Sequence, residues 1–276
     1  DKIPNIAGFG LLPIGILTIF FYDLNEKINT TLFLFLVVIL IGLIDDIKSI
    51  KPQVKILFLL IPVIIFSSSV FTVNSLGNYQ NLNFKLGYLS FLFTVLCILL
   101  LTNSFNYLDG IDGLLSFNLI ITFIYFLIID YENIKFIEPF LCFLIIYILF
   151  NLNIFRFFPK QFLGDSGSLS LGFLVSALLI ILTQSGKYIH PSIIIWSVAF
   201  VVYEFLTINI IRIRLKKNIL KRDLNFIFNI LHKKFNLKIS LIFCNLLHVL
   251  LCATGLIMNF YNSYSMSISL FIIFFI

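Results

Sequence analysis

The sequence contains very few charged residues. Only 12% of its 276 residues are charged, whereas 60% are hydrophobic and the mean hydropathy is +1.08. Soluble domains average about 25% charged residues. A chain this apolar cannot present a surface suited to water, so its solvent must be a lipid bilayer. The composition excludes a soluble globular domain, predicts an all-α polytopic membrane protein and indicates no nucleic-acid partner.

Residues and motifs of several common sites are scarce or absent. The four cysteines all lie in apolar runs without the spacing of metal ligands, which favours their being small apolar residues of helices. The start of the chain does not have the shape of a secretory signal peptide. Neither the Gly-Lys-Ser/Thr element of a P-loop nor the spacing of an EF-hand is present. His190 and His248 are assigned no function.

Apolar runs predict about ten transmembrane helices in one membrane domain, residues 1–276. The predicted spans are Ile6–Tyr22, Thr31–Ile44, Val54–Val73, Tyr88–Thr102, Leu114–Ile129, Ile137–Phe150, Leu169–Thr183, His190–Ile211, Ile239–Met258 and Ser265–Ile276. Several are shorter than the roughly 20 residues of a straight span, so we expect their ends to continue into polar motifs. Turn residues predict a short external hairpin in Asn74–Gly87.

The positions of lysine and arginine predict the orientation of these spans. The N-terminal segment and the loops after even-numbered spans contain 15 of the 19 basic residues, and the opposite loops contain four. Cytoplasmic loops are enriched in basic residues, so the even-numbered loops are predicted to be cytoplasmic. Nine of the 15 lie in Arg212–Lys238. This basic loop could bind pyrophosphate or anionic lipid, or serve only to orient the chain.

Acidic and amide residues are concentrated in three of the predicted cytoplasmic loops. The first motif, Asp45-Asp46, ends the second span. Two adjacent carboxylates at a membrane surface repel each other and lose solvation. They are either a solvated helix end or a site for a cation, for phosphate chemistry or for a base.

The second motif runs from Asn103 to Gly113 and contains two Asp-Gly pairs three residues apart. The spacing puts Asp109 and Asp112 on one side of a turn, and glycine allows a ligand to approach the backbone closely. No lysine or arginine lies in this stretch to neutralise the acids. An ordinary polar turn is the alternative.

The third motif, Gly164-Asp165-Ser166-Gly167-Ser168, opens a predicted helix. Free N–H groups and the positive end of the helix dipole suit a phosphate, and Asp165 would offer an oxygen to a phosphate-bound Mg²⁺. Alternatively, Asp165 or Ser166 merely caps the helix. Together the motifs bring five carboxylates to one membrane face, which favours a divalent cation. Glu204, within a predicted span, is a separate functional hypothesis.

In order and spacing, these motifs resemble those of the polyprenyl-phosphate N-acetylhexosamine-1-phosphate transferases of glycosyltransferase family 4. That superfamily includes phospho-N-acetylmuramoyl-pentapeptide transferase and undecaprenyl-phosphate N-acetylglucosamine-1-phosphate transferase. The matching residues are Asp45-Asp46 with Pro52 and Lys55, Asn103-x-x-Asn106-x-x-Asp109-Gly110-x-Asp112-Gly113, Phe150-Asn151, and Gly164–Leu169 with Gly172. Pro4–Gly10 resembles a degenerate version of the family's Pro-x-x-Gly-Gly segment. In the family this segment follows one or two further helices, so we expect the chain to lack them.

The resemblance implies Mg²⁺-dependent transfer, with Mn²⁺ as an alternative, of a sugar phosphate from a UDP-N-acetylhexosamine to polyprenyl phosphate. It implies that Asp165 binds the metal and that Asp45 orients or deprotonates the lipid phosphate with help from Asp46; both are further candidate metal ligands. The implied substrate-binding residues are Lys55, Asn103, Asn106, Asp109, Gly110, Ile111, Asp112, Asn151 and Phe162, the last stacking on uracil. The implied location is a bacterial inner membrane, with the site facing the cytoplasm and starting cell-wall or O-antigen-type synthesis; a homodimer is compatible.

The family's histidine cluster is missing. The aligned stretch after Asp223 is Phe226-Ile227-Phe228-Asn229, with His232 a few residues later, and Glu204 stands where the family has Asp. An impaired relative that acts as a binding protein, or a transporter, therefore remain alternatives. A CDP-alcohol phosphotransferase is disfavoured because its Asp-Gly-x-x-Ala-Arg pattern is absent. The sequence does not identify the sugar or the pathway.

Overall fold

The computed structural model describes residue 5 and residues 7–80, 82–154, 159–185, 189–216 and 227–276, and it is almost entirely helical. The helices are α1 Leu11–Phe21, α2 Glu26–Lys48, α3 Pro52–Ser69, α4 Ser90–Leu108, α5 Leu114–Ile134, α6 Glu138–Asn151, α7 Gly164–Gln184, α8 Pro191–Ile194, α9 Ala199–Arg214, α10 Ile227–His232, α11 Leu237–Phe260 and α12 Tyr264–Phe275. Short 3₁₀ segments occupy Ala7–Gly10, Gly87–Leu89, Lys135–Ile137 and Ile195–Val198. One hairpin is formed by β1, Ser75–Tyr79, and β2, Leu82–Lys85.

Within these described ranges, seven helical stretches are long and apolar enough to cross a membrane. They are Glu26–Lys48, Pro52–Ser69, Gly87–Leu108, Leu114–Asn151, Gly164–Gln184, Pro191–Arg214 and Leu237–Phe260. Apolar helices near the two ends of the chain, Ala7–Phe21 and Tyr264–Phe275, are shorter. The predicted all-α multi-pass architecture is confirmed, whereas the predicted number of ten spans is not.

The 38-residue stretch Leu114–Asn151 is a helical hairpin rather than one long span. Asp130 leaves helical geometry, with φ −152° and ψ 68°, and a 3₁₀ turn follows. The two ends of the stretch meet, because the Gly113 N–H donates to Asn151 Oδ1 at 2.6 Å. The chain therefore reverses near Asp130 and returns to the side from which it started.

Helix α7 lies at the centre of the bundle, and nearly all of its residues are buried. It packs against α2 and α4, and its serine hydroxyls donate back to carbonyls of the preceding turn, such as Ser170 Oγ to Ser166 O at 2.6 Å. Such bonds satisfy hydroxyl groups where no water is present. Since α7 begins with the third sequence motif, the most buried of the seven candidate spans begins at the candidate site.

The hairpin confirms the loop prediction and lies at the opposite end of the bundle from the start of α7. Gln184, at the end of α7, accepts the Asn74 N–H at 3.0 Å and donates to Ser75 O at 3.1 Å. His190 Nε2 bonds Asn78 O at 3.1 Å, and its ring stacks on Tyr264. Desolvation of the half-buried ring lowers the pKa of His190, while the Asn78 bond opposes this change.

The predicted span His190–Ile211 is interrupted by the 3₁₀ turn Ile195–Val198. The turn frees backbone carbonyls, and side chains of other helices bond to them. Tyr125 OH donates to Ile193 O at 2.8 Å, and Thr122 Oγ1 donates to Ser197 O at 2.8 Å. The break is possible inside an apolar bundle because these bonds replace the lost helical ones.

Candidate active site

Asp46 holds the first turn of α7 against the last turns of α2. Its Oδ1 accepts the Asp165 N–H at 2.8 Å and its Oδ2 accepts the Ser166 N–H at 3.0 Å. A carboxylate at a helix N-terminus is stabilised by the N–H groups and the helix dipole. The sequence predicts that these N–H groups bind a phosphate, but in the structure Asp46 accepts two of them. Asp46 therefore positions the motif that contains Asp165.

Lys55 lies between two carboxylates that are 120 residues apart in the chain. Its Nζ pairs with Asp45 Oδ2 at 2.7 Å and with Asp165 Oδ2. A tight turn brings Lys55 to Asp45: Ser49 is in the left-handed region, with φ 47°, and Pro52 starts α3. Asp45 Oδ1 also accepts the Ile50 N–H at 2.5 Å. The carboxylates of Asp45 and Asp165 are thus oriented toward one shared position that suits a cation.

Asn106, in the last turn of α4, completes the surroundings of Asp165. Its Nδ2 donates to Asp165 Oδ1 at 2.8 Å and to Ser168 Oγ at 2.8 Å. Asp165 is therefore bonded to α3 on one oxygen and to α4 on the other, and it does not cap α7. The capping alternative from the sequence is wrong for Asp165.

A cavity of about 180 Å³ opens beside these groups. Its lining contains four of the implied site residues, Lys55, Asn103, Asn106 and Asp165, together with Pro52, Ile56 and Tyr107. Asn103 Nδ2 donates to Leu99 O at 2.7 Å, within its own helix. Asp165 of the third motif and the amides of the second thus line one cavity at the end of an apolar bundle. Asp45 of the first motif joins them through its ion pair with Lys55.

A second group of predicted residues joins the start of α5 to the segment before α7. Lys160 Nζ pairs with Asp112 Oδ2 at 2.5 Å and lies 5.2 Å from the centre of the Phe162 ring. Asn151 accepts the Gly113 N–H and donates to Gln161 O at 2.9 Å. Asp112, which has no basic neighbour in its own motif, is neutralised by a lysine 48 residues away. Lys160 is a site residue that the sequence analysis did not identify.

The turn between α4 and α5 contains the remaining residues of the second motif. The Asp109 N–H donates to Asn106 O at 3.3 Å, and the Leu114 N–H donates to Ile111 O at 3.2 Å. Gly110 and Gly113 have φ 94° and φ 74°, the left-handed conformation that glycine adopts without strain. The two Asp-Gly pairs therefore form the sharp turn that sets the position of Asp112.

The N-terminal segment packs on the same region. The Ala7 N–H donates to Phe162 O at 3.3 Å, and the Gly8 N–H donates to Leu163 O at 3.0 Å. A side chain at position 8 would overlap the backbone of Leu163 and Gly167. Gly8, in the segment that resembles Pro-x-x-Gly-Gly, thus allows close packing beside Phe162.

The structure describes Glu204 on α9 and only part of the basic loop Arg212–Lys238. Glu204 Oε2 accepts the Ile227 N–H at 3.1 Å and so ties α10 to α9. The His232 ring stacks on Phe228, which is buried. Asp223 and Phe226 lie outside the described residues. Arg212, counted in the sequence only as a charge, is 1% exposed and lies over the ring of Tyr107, 5.4 Å from its centre.

The carboxylates of the site are potential ligands of a divalent cation. Among the residues that the structure describes, no group of three or more His, Cys, Asp and Glu side chains could hold a metal ion by itself. Asp45 and Asp165 nevertheless direct two carboxylate oxygens at one cation, the Lys55 ammonium. Mg²⁺ is commonly bound through one or two carboxylates, with substrate phosphates and water completing its shell. The residues present therefore fit Mg²⁺ bound together with a phosphate substrate.

The chain matches a known protein family over more than half of its length. The model of glycosyl transferase family 4 matches residues 28–183, which is more than half of the chain and includes α2 through most of α7. The chain belongs to this family. The matched region contains all of the acid motifs described above.

Named relatives share about half of their length with the chain. It is 30% identical over 185 residues to the phospho-N-acetylmuramoyl-pentapeptide-transferase of Streptococcus agalactiae. The matched region covers 61% of the chain and 51% of that protein. It is 29% identical over 188 residues to a probable undecaprenyl-phosphate N-acetylglucosaminyl 1-phosphate transferase of Bacillus subtilis, with 64% and 51% covered. The corresponding Yersinia pestis transferase is 27% identical over 184 residues, with 64% and 50% covered.

Proposed function

We propose that this protein transfers N-acetylhexosamine 1-phosphate from a UDP-sugar to polyprenyl phosphate, with UMP as the second product. The observation that supports this most directly is a cluster of Asp45, Lys55, Asn106 and Asp165, from four helices, at the end of an apolar bundle. Lys55, Asn106 and Asp165 of this cluster line one cavity. The site suits a reaction in which a water-soluble phosphate donor meets an acceptor that stays in the bilayer. We further propose that it faces the cytoplasm of a bacterial cell, as the charge distribution predicts.

Both substrates are anionic, so the site must neutralise phosphate charge. Lys55 contributes one positive charge to a cluster that also holds Asp45, Asp46 and Asp165. A phosphate substrate therefore needs additional positive charge. Asp45 and Asp165 would hold Mg²⁺, with Mn²⁺ as an alternative. The ion would neutralise the diphosphate and stabilise charge on the transferred phosphoryl group and on the leaving UMP.

The protein groups have distinct proposed roles. Asp165 is held at both oxygens, by Lys55 and by Asn106, so its orientation is set before substrate binds. Asp45 lies near the C-terminal end of α2, where the helix reaches the membrane surface, and is the candidate to orient or deprotonate the lipid phosphate. Asp46 contributes by fixing the start of α7. Lys55 is the cation available to the substrate phosphates when its carboxylate partners bind the metal.

The second group of residues, Asp112, Asn151 and Phe162, is proposed to bind the nucleoside. Phe162 lies three residues before Asp165, so their Cα atoms are at most about 11 Å apart even along an extended chain. One nucleotide sugar could therefore contact both. Asn151 supports this group by bonding the backbone on both sides of it.

The proposal is tested with membranes that contain the protein, undecaprenyl phosphate and a panel of UDP-N-acetyl sugars labelled in the sugar. We expect a Mg²⁺-dependent lipid product from at least one donor, and its loss in Asp165→Asn. The matched control is Asp130→Asn, which changes an acid at the opposite end of α5. Product formation at the wild-type rate by Asp165→Asn would exclude the proposed role of this residue.

The same assay distinguishes the alternatives. A binding protein would retain UDP-sugar but form neither lipid product nor UMP. A transporter would move solute across proteoliposomes without transferase activity. Either result would contradict the proposed transferase activity. The binding protein is the alternative to test first, because Phe228 and Asn229 stand where the family has its histidine cluster.

A further inference from the structure

We propose that Lys160 is a positioning residue for the nucleotide donor: its ammonium, held by Asp112, orients the Phe162 ring as the surface on which the base stacks. This inference rests on the proposed function, because it assumes that the donor is a nucleotide. It assigns a role to a residue that lies outside the acid motifs. It also assigns to the base the ring face opposite Lys160.

The geometry places one cation between a carboxylate and an aromatic ring. Lys160 Nζ is 2.5 Å from Asp112 Oδ2 and 5.2 Å from the centre of the Phe162 ring. A cation within about 6 Å of a ring centre is attracted to the negative face of the ring. The ammonium therefore couples the direction of the Asp112 carboxylate to the tilt of the Phe162 ring.

The backbone of this region is held by hydrogen bonds that do not involve Lys160. Asn151 bonds Gly113 N and Gln161 O, the residues that follow Asp112 and Lys160. The Ala7 N–H donates to Phe162 O. Because these bonds fix the backbone on both sides, Lys160 orients the side chains of Asp112 and Phe162 rather than the loop itself.

The location suits a ligand that arrives from water. The side chains of Lys160 and Asp112 are 25% and 23% exposed, so they line an edge of the protein rather than its core. Aromatic side chains bind nucleobases by stacking without requiring a particular base. A carboxylate and a backbone turn beside the ring then provide hydrogen-bonding groups for a nucleoside. This arrangement points to recognition of the nucleoside part of the donor, apart from the phosphates at Asp165.

The test compares Lys160→Met, which keeps the length of the side chain without its charge, with Lys160→Arg, which keeps the charge. For Lys160→Met we expect the KM for the nucleotide sugar and the Kd for UDP to rise about fivefold, with kcat within about twofold and the KM for polyprenyl phosphate unchanged. Lys160→Arg should recover most of the affinity. The effect of Lys160→Met should disappear when Phe162 is already leucine.

Several results would overturn the inference. An unchanged Kd for UDP in Lys160→Met would show that the charge does not assist nucleotide binding. An equal effect in the Phe162→Leu background would show that Lys160 does not act through the ring. A lower melting temperature with unchanged affinity would assign Lys160 a structural role. Because UDP binding is measured without turnover, an absence of transferase activity in the wild type would refute the proposed function and not this inference.

Discussion

Substitution of Gly42 by alanine should displace the Asp165 carboxylate without contacting it. Gly42 lies on α2 where that helix crosses the start of α7, and a Cβ there would lie 2.5 Å from both Asp165 O and Ser166 N. Ordinary van der Waals contact begins at about 3.4 Å, so α2 and α7 must separate by about 1 Å. Both obstructing atoms belong to the backbone, so a side-chain rotation cannot relieve the contact.

The separation acts directly on the site, because Asp46 of α2 bonds the same backbone N–H groups of α7. A misplacement of about 1 Å can reduce catalysis about 10²-fold, and overpacking of this kind costs about 1–3 kcal/mol of stability. We therefore expect Gly42→Ala to lower kcat/KM about 10²-fold in the transfer assay with undecaprenyl phosphate, while the purified variant still shows a cooperative thermal transition.

Gly15→Ala is the matched control. A Cβ at Gly15 also faces α2 but meets the ends of the Leu36 and Phe35 side chains, at 2.8 Å and 3.2 Å. These side chains can adjust without moving a helix, so activity should stay within about threefold of wild type. Activity above half of the wild-type value in Gly42→Ala would refute the claim that the crossing of α2 and α7 sets the position of Asp165.

Three further predictions concern Lys55, Asn106 and His190. Lys55→Met leaves the carboxylates of Asp45 and Asp165 without their shared cation, so the melting temperature of this variant should fall in EDTA. Addition of Mg²⁺ should then raise the melting temperature of Lys55→Met by more than it raises that of wild type. Equal increases in the two proteins would contradict this prediction. Asn106→Ala removes two bonds that orient Asp165, so kcat should fall about 10–100-fold with a folded protein, and wild-type kcat would count against it. The lowered pKa of His190 means that the unfolded chain binds its proton more readily, so stability should decline as the pH falls below about 6.5. Melting temperatures at pH 7.5 and 5.5 should differ less in His190→Gln than in wild type, and an equal difference in both would exclude this residue as the cause.

The helices could be predicted from the sequence because long apolar runs have few alternatives in a bilayer. Each predicted span overlaps a helix, and the hairpin in Asn74–Gly87 follows from its turn residues. The interruption at Ile195–Val198 could not be predicted in this way. The apolar pattern continues through it, and the groups that stabilise it, such as Tyr125 and Thr122, come from another helix.

The site was predictable as a set of residues but not as a set of contacts. The acid motifs identify Asp45 and Asp165, yet nothing in their local sequence indicates that Lys55 joins them, because the pairing depends on where α3 and α7 meet. The hydrogen bonds that Asp46 accepts from backbone N–H groups could not be predicted for a different reason. The same Gly-Asp-Ser-Gly-Ser pattern suits either a phosphate or a carboxylate, and only the close crossing at Gly42 decides between them.

The central claim is the transfer of a phosphosugar, and the fate of the β-phosphate of the donor tests it most directly. Purified protein is incubated with undecaprenyl phosphate, Mg²⁺ and UDP-N-acetylglucosamine or another UDP-N-acetylhexosamine labelled at the β-phosphorus. The account predicts that the label enters the lipid and that one UMP is released for each lipid product. Release of labelled UDP, or retention of all label in the nucleotide sugar for every donor, would contradict it.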